Sequence, residues 1–412
     1  MTINFDERID RRHTQAISVD ECRSAVFHED AQTAKFPCPD DQVIRMWIAD
    51  MDFAAPPCVL EALHRRVEHG IFGYTDITDD NFSTAFFRWC DRMYGWTPPK
   101  EQLCFSHGIV PALCDLVPML TQPDEKVLFL TPSYPPFRGA AVKAGREYVC
   151  SDMLRGEDGK YRIDFEDFAQ KAADPKVKLC IFCNPHNPTG RAWTAEELKR
   201  VGTICLENGL YILSDEIHCD LLRSGLRHTP LASLFPESSR IVTCMAPSKT
   251  FNIAGLHFSE LLIPDEALRA EWNKTHSEGE NPLSLTAATA AYAEGYDWLM
   301  ELRRYLDGNF AFAADYFSKH APKVGFSVPE ATYLSWADLS AYTGKQTGLT
   351  RLFGEQAGVV LQGGEQFVHN GEGFVRMNFA CPRAVLEEGL SRICAVLQTN
   401  DRERRKVSPG GV

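Results

Sequence analysis

The stretch KLCIFCNPHNPTGRAWTAEELKRVGTICLENGLYILSDE, Lys178 to Glu216, decides the fold. It opens on a short apolar run, KLCIFC, bounded by Asn-Pro. That is the pattern of a strand buried on both faces. WTAEELKRVGTICLENG then reads as a helix. Thr194 is its N-cap and Glu197 the partner three residues on, a capping box. Leu198, Val201, Ile204 and Cys205 share one face, and Gly209 ends it. LYILSDE closes the unit as a second strand. Strand, helix, strand in about forty residues specifies a parallel pair with a crossover.

The same alternation extends both ways. DEKVLFLTPSY gives a strand ending near Leu130, and RIVTCMA another before Ala246. An α/β fold with a mostly parallel sheet between helices follows for the large domain, residues 46–285. In such sheets ligands bind beyond the carboxyl ends of the strands. Asn184 to Gly190, Asp215 and Lys249 all fall at that edge. Beyond residue 285 the pattern changes. A helical stretch from Thr286 to Phe317 leads into strand-like ATYLSWADL, GVVLQGG and GFVRMNFA, with RAVLEEGLSRICAVLQ as a closing helix. These segments, 286–398, together with residues 1–45, are expected to form a smaller α+β domain, and 399–412 an unstructured tail.

At 412 residues and 44% apolar content the chain can fill two cores. A net charge of −13 argues against nucleic-acid partners and against a basic membrane patch. No run of about 18 apolar residues exists, and MTINFDERIDRRHT has no signal-like apolar core, so a cytoplasmic location is expected. Most of the fourteen cysteines sit in apolar runs and read as reduced core residues. Cys180 and Cys183 form C-x-x-C, but no second pair at zinc spacing follows, so no metal site is expected. PSKT lacks the glycine spacing of a P-loop, and LQGGEQ reads as a turn.

Lys249 is the unusual residue. It lies in APSKTFNIAGL, Ala246 to Leu256, among small and apolar neighbours directly after a buried-type strand. A desolvated lysine amine can form a Schiff base with a carbonyl. A carboxylate on a neighbouring strand end can hold a pyridine nitrogen protonated, and an asparagine can bond a ring hydroxyl. Pyridoxal 5′-phosphate needs that set, together with a phosphate cradle.

NPHNPTGR (184–191), SDEIHCD (214–220) and SKTFNIAGL (248–256) resemble the fold-type I, aspartate-aminotransferase-like enzymes that use pyridoxal 5′-phosphate. WIADMDFAAPP (47–57), HGIFGYT (69–75), TPSYPPF (131–137) and RMNFACPR (376–383) bring the likeness closest to the MalY/PatB-type branch, the cystathionine β-lyase or cysteine-S-conjugate β-lyase group. The resemblance covers roughly residues 40 to 395. It implies Lys249 as the Schiff-base lysine and the base at Cα, with Asp215 on the ring nitrogen. It also implies Asn187 on the ring hydroxyl and Tyr134 stacked on the ring. Gly108, Ile109 and Val110, with Ser248, would hold the phosphate. Tyr74 would reach the phosphate of a second subunit in a homodimer, and Arg376 would take the carboxylate of an amino-acid substrate.

His218 replaces the tyrosine found in many aminotransferases, and is either a cofactor neighbour or a packed imidazole. His257 stands where an arginine usually meets the phosphate, and reads as a plain residue of the next strand. His107 and His186 read as structural. Asp50 and Asp52 fit either the substrate side of the cleft or a capped turn. The implied reaction is β-elimination from a cysteine S-conjugate. An aminotransferase shares every residue that holds the cofactor. A regulatory binding protein on the same fold is the reading that retention of Lys249, Asp215, Asn187 and Arg376 disfavours.

Overall fold

The computed structural model describes residues 3–28, 32–76, 80–276 and 279–407. At its centre is a seven-stranded sheet. In chain order its strands are β1 (Leu103–Ser106), β2 (Lys126–Thr131), β3 (Glu147–Asp152), β4 (Val177–Cys183), β5 (Tyr211–Asp215), β6 (Ile241–Met245) and β7 (Ser259–Leu262). Their spatial order is β1-β7-β6-β5-β4-β2-β3. β2 through β6 pair in parallel, and β7 runs antiparallel to both neighbours.

Period-2 alternation divides each strand between two cores. Val127, Phe129, Leu179, Ile181, Cys183, Leu213 and Cys244 pack on one face. Leu128, Leu130, Cys180, Phe182 and Ile212 pack on the other. Cys180 and Cys183 therefore point to opposite sides of the sheet, which is why their spacing makes no metal pair. Phe129 and Phe182 are fully buried; each such side chain contributes roughly 1.5–3 kcal/mol of transfer free energy.

The crossover helix runs Ala195–Glu207. Its capping box forms as the sequence predicts: Glu197 N–H donates to Thr194 Oγ1, and Thr194 N–H donates back to the Glu197 carboxylate. Gly209 follows with φ of 74°, the left-handed turn that glycine adopts without steric cost.

Two sequence expectations need correction. The helical stretch after residue 285 is two helices, Pro282–Glu294 and Tyr296–His320. They break at Gly295, where a Cβ would come within 2.4 Å of the Ala291 carbonyl and 2.5 Å of the Phe251 ring. The expected tail from residue 399 is also partly wrong. The closing helix runs Arg383–Val407, and residues 408–412 lie outside the described part. Its extension is tied down by Gln398 Nε2 donating to the His320 carbonyl and by a Lys323–Asp401 ion pair at 2.6 Å.

In the second part of the chain, β8 (Leu334–Asp338), β9 (Gln362–Gly363) and β10 (Phe374–Asn378) form an antiparallel sheet. The GVVLQGG run is split between β9 and a two-residue parallel ladder, Val359–Val360 against Ile44–Arg45. That ladder joins the early chain to the smaller sheet. Phe5 ties the early chain instead to the core shared by Phe82, Phe86 and Leu262 on the large sheet's side, its ring meeting Phe53 edge-on at 5.0 Å and Trp298 edge-on at 5.6 Å.

Candidate active site

The carboxyl ends of β4, β5 and β6 lie side by side. Asp215 pairs in register with Cys183 on one side and Cys244 on the other. Lys249 follows β6 on a single helical turn, Pro247–Thr250. Asn187 lies in the loop after β4, and its N–H reaches back to Cys183 Sγ at 3.4 Å. Sheet order alone brings these three sites together.

Lys249 Nζ donates to the carbonyl of Ala49 at 2.6 Å. Burial lowers its pKa to about 8, with Asp50 opposing that shift and Arg376 adding to it. Asp215 is 4% exposed. Burial raises its carboxyl to about 7, against the hydrogen bond it accepts from Ile217 N–H. A carboxylate placed so deeply, with no cation bonded to it among the described residues, suits a cationic partner arriving from the cleft.

Arg376 lies in β10, 4% exposed. Its Nη1 donates to Asn187 Oδ1 at 3.0 Å and its Nη2 to the Trp47 carbonyl at 3.2 Å. Its Nε is buried and unpartnered among the described residues, so the guanidinium keeps a donor in reserve. Burial brings its pKa down to about 10, so it stays charged at neutral pH. Asn187, with its amide oxygen taken by Arg376, retains Nδ2 as the donor for a ring oxygen. Tyr134 occupies the N-cap position of the helix Pro135–Lys143 and sits close enough to Arg376 and Asp215 to feel both charges.

The helix Ile109–Leu120 starts at Gly108, whose φ of 134° opens the turn. Helix starts leave unpaired N–H groups that bind anions. Ile109 and Val110 supply them here. Ser259 Oγ donates to the Ser106 carbonyl, and Glu260 pairs in register with Met245. β7 therefore sets this turn beside the Lys249 turn, where Ser248 is partly buried.

His218 is buried, its Nδ1 has no partner among the described residues, and its ring meets Tyr333 edge-on at 6.3 Å. Burial, Lys249 and Arg376 push its pKa to about 3, so it is neutral at physiological pH. His257 is not in the strand. It sits in a left-handed turn before β7, exposed. His186 is buried against Thr189 Oγ1 at 2.8 Å, while His107 is exposed beside Glu280 at 3.7 Å. Asp50 and Asp52 both pair with Arg11. Tyr74 is fully exposed, next to exposed Ile71 and Phe72.

Sequence reasoning missed the carbonyl oxygens of Trp47 and Ala49, which accept from Arg376 and Lys249. It also missed Asn252 and Asn378, which bind the same loop. Both asparagines lie inside the quoted motifs, three residues after Lys249 and two after Arg376, and that proximity was the available signal.

The donor set fits pyridoxal 5′-phosphate. An amine whose pKa is lowered to about 8, a deeply buried carboxyl, an amide N–H donor and an anion-binding helix start converge on one crevice.

Comparison with known proteins agrees. A family model described as aminotransferase class I and II matches residues 41–393. The chain is 42% identical over 400 residues to cystathionine beta-lyase PatB of Bacillus subtilis (strain 168), covering 96% of this chain and all of that protein. It is 30% identical over 349 residues to protein MalY of Escherichia coli (strain K12), covering 84% and 89%. The PLP-bound C-S lyase from Staphylococcus hominis superposes with a TM-score of 0.91 at 44% identity, over 96% of this chain and 98% of that one.

Proposed function

The chain belongs to the aminotransferase class I and II family, and from that premise we propose that it is a pyridoxal 5′-phosphate-dependent carbon–sulfur β-lyase. It would cleave cystathionine or other cysteine S-conjugates to pyruvate, ammonia and a thiol. The observation that carries the lyase reading is the 42% identity, across nearly the whole of both chains, to a cystathionine beta-lyase. The residues around the cofactor suit a transaminase equally well.

When bound, the cofactor supplies an electron sink for the charge left at the substrate Cα. Lys249 would hold the cofactor and later act as base. With its pKa near 8, the amine reaches its neutral form close to physiological pH. Asp215 would keep the ring nitrogen protonated, and Asn187 Nδ2 would donate to the ring oxygen. Tyr134 would cover one ring face. Gly108, Ile109, Val110 and Ser248 would hold the phosphate. Arg376 would turn its fork to the substrate carboxylate. His218 would pack beside the cofactor as a neutral ring. A cysteine S-conjugate carries a thiolate leaving group at Cβ, and its departure completes the elimination.

A homodimer belongs to the same proposal, with Tyr74 serving the phosphate of the second subunit. Its support is the full exposure of Tyr74 beside two exposed apolar side chains. A cytoplasmic location is supported by fourteen unpaired cysteines. No described helix is long and apolar enough to cross a membrane.

The test is to mix the cofactor-loaded protein with L-cystathionine and S-methyl-L-cysteine, following pyruvate, thiol and the cofactor spectrum. Catalytic pyruvate and thiol are expected, and Lys249→Ala should lower the rate by about 10³-fold or more. Conversion to the pyridoxamine form, reversed by a keto acid and without thiol release, would make this an aminotransferase.

A further inference from the structure

The loop Trp47–Phe53 touches both functional cations through its backbone. The Trp47 carbonyl accepts from Arg376, and the Ala49 carbonyl accepts from Lys249. The position of this loop therefore sets where both cations rest.

Three side chains hold it. Asn378 Nδ2 donates to the carbonyls of Ile48 at 2.9 Å and Asp50 at 2.6 Å. Asn252 accepts from Met51 N–H at 3.1 Å and donates to the carbonyls of Met51 at 3.0 Å and Phe53 at 2.7 Å. These two belong to the segments that carry Arg376 and Lys249, so each of those segments is tied to the loop that holds its cation. The third grip is Arg11. Its Nη1 donates to Asp52 Oδ1 at 2.9 Å and to the Met51 carbonyl at 3.2 Å, and its Nη2 pairs with Asp50. Arg11 reaches the loop from the N-terminal segment, which is itself anchored by Phe5 and by Tyr305 OH donating to Asp6.

We propose that Arg11 is a positioning residue for the active site: it fixes the loop Trp47–Phe53 and thereby presets Arg376 for the substrate carboxylate. The argument rests on the reading of Arg376 given above. A guanidinium suits the task because its planar fork presents two separate nitrogens to two carboxylates and a carbonyl, where an ammonium offers a single compact charge. The side chain is 22% exposed, so its pairs are more shielded than surface ion pairs. Without Arg11, Asp50 and Asp52 would share a short loop with no cation bonded to either. The loop would also lose the one ion-paired tether that, among the described residues, comes from outside the two cation-bearing segments.

The test uses full-length, cofactor-loaded protein and the variants Arg11→Gln, Arg11→Lys and Arg12→Gln. Arg12 pairs with Asp10 and Asp41 at the surface and controls for loss of charge. Two readouts need no turnover. One is amide hydrogen exchange across residues 46–54. The other is calorimetric binding of 3-(methylthio)propionate, which keeps the substrate carboxylate and lacks the amine. Arg11→Gln should speed exchange in the loop about tenfold, with the sheet unchanged. It should weaken the probe about tenfold and raise KM similarly, with kcat changed by less than about threefold. Arg11→Lys should recover part of each effect, and Arg12→Gln should resemble the wild type.

Unchanged exchange in the loop overturns the proposal. So does faster exchange with unaltered probe affinity, or an equal effect from Arg12→Gln. Failure of the wild type to bind the probe removes the premise about Arg376 and the proposal with it. A wild type that binds the probe and responds at residue 11, yet cleaves no S-conjugate, would sink the lyase reading alone.

Discussion

Replacing Asp215 by asparagine should stabilise the cofactor-free protein while weakening its hold on the cofactor. Burial raises the Asp215 carboxyl from its ordinary 3.8 to about 7. At 1.36 kcal/mol per pH unit, that displacement corresponds to about 4 kcal/mol against the ionised form. The sign follows from proton counting. Between pH 4 and 7 the folded chain holds a proton on Asp215 that the unfolded chain has released. Stability from this group is therefore complete below about pH 4 and is lost as the pH rises to about 7. Lys249 does not blur this window, since below its value of about 8 it is mostly protonated in both states. The substituted amide would carry no charge at any pH, so Asp215→Asn should melt higher than the wild type at pH 8 and similarly at pH 4.5. For a chain of this size, about 4 kcal/mol corresponds to a shift of roughly 5 °C. The assay is calorimetry of both proteins at the two pH values, with and without cofactor. Loaded protein should reverse the order at pH 8, because a ring N–H⁺ beside the carboxylate converts the burial cost into an ion pair. A difference in Tm that is the same at pH 4.5 and 8 without cofactor would refute the reasoning.

Two further outcomes follow from the geometry. Arg376→Ala removes the donor from Asn187 Oδ1 and the Trp47 carbonyl as well as the fork proposed for the substrate carboxylate; KM should rise about 10- to 100-fold, at about 1.5–3 kcal/mol per charged hydrogen bond, and Arg376→Lys should recover only part in steady-state kinetics. Gly295→Ala forces a Cβ against the Ala291 carbonyl and the Phe251 ring, and should cost about 1–3 kcal/mol in denaturant unfolding, with Lys249 chemistry impaired because Phe251 lies two residues away.

The strand–helix–strand unit was legible from Lys178 to Glu216 because apolar runs, a capping box and a closing glycine all act locally. The convergence of Asn187, Asp215 and Lys249 was legible too, since a parallel sheet places every strand end at one edge. Other features depend on partners far away in sequence. The break at Gly295 answers to the ring of Phe251. The helix beyond residue 399 answers to Lys323 and His320. His257 left the strand because its backbone turns left-handed one residue before Phe258 enters the core. The carbonyls of Trp47 and Ala49 were invisible for a different reason: every residue carries a carbonyl, so no residue type marks one that will hold a cation.

The cysteines on either side of Asp215 bear on the chemical compatibility of this protein with its proposed products. Cys183 and Cys244 are buried, and burial together with the Asp215 charge pushes both thiols well above their ordinary range. Exchange with a disulfide requires an accessible thiolate. A catalyst that releases thiols would be bathed in mixed disulfides whenever those products oxidise. Two sulfurs flanking the centre of the site, shielded and kept protonated, would remain inert in that milieu, so the turnover of one substrate would not cap the scaffold that handles the next.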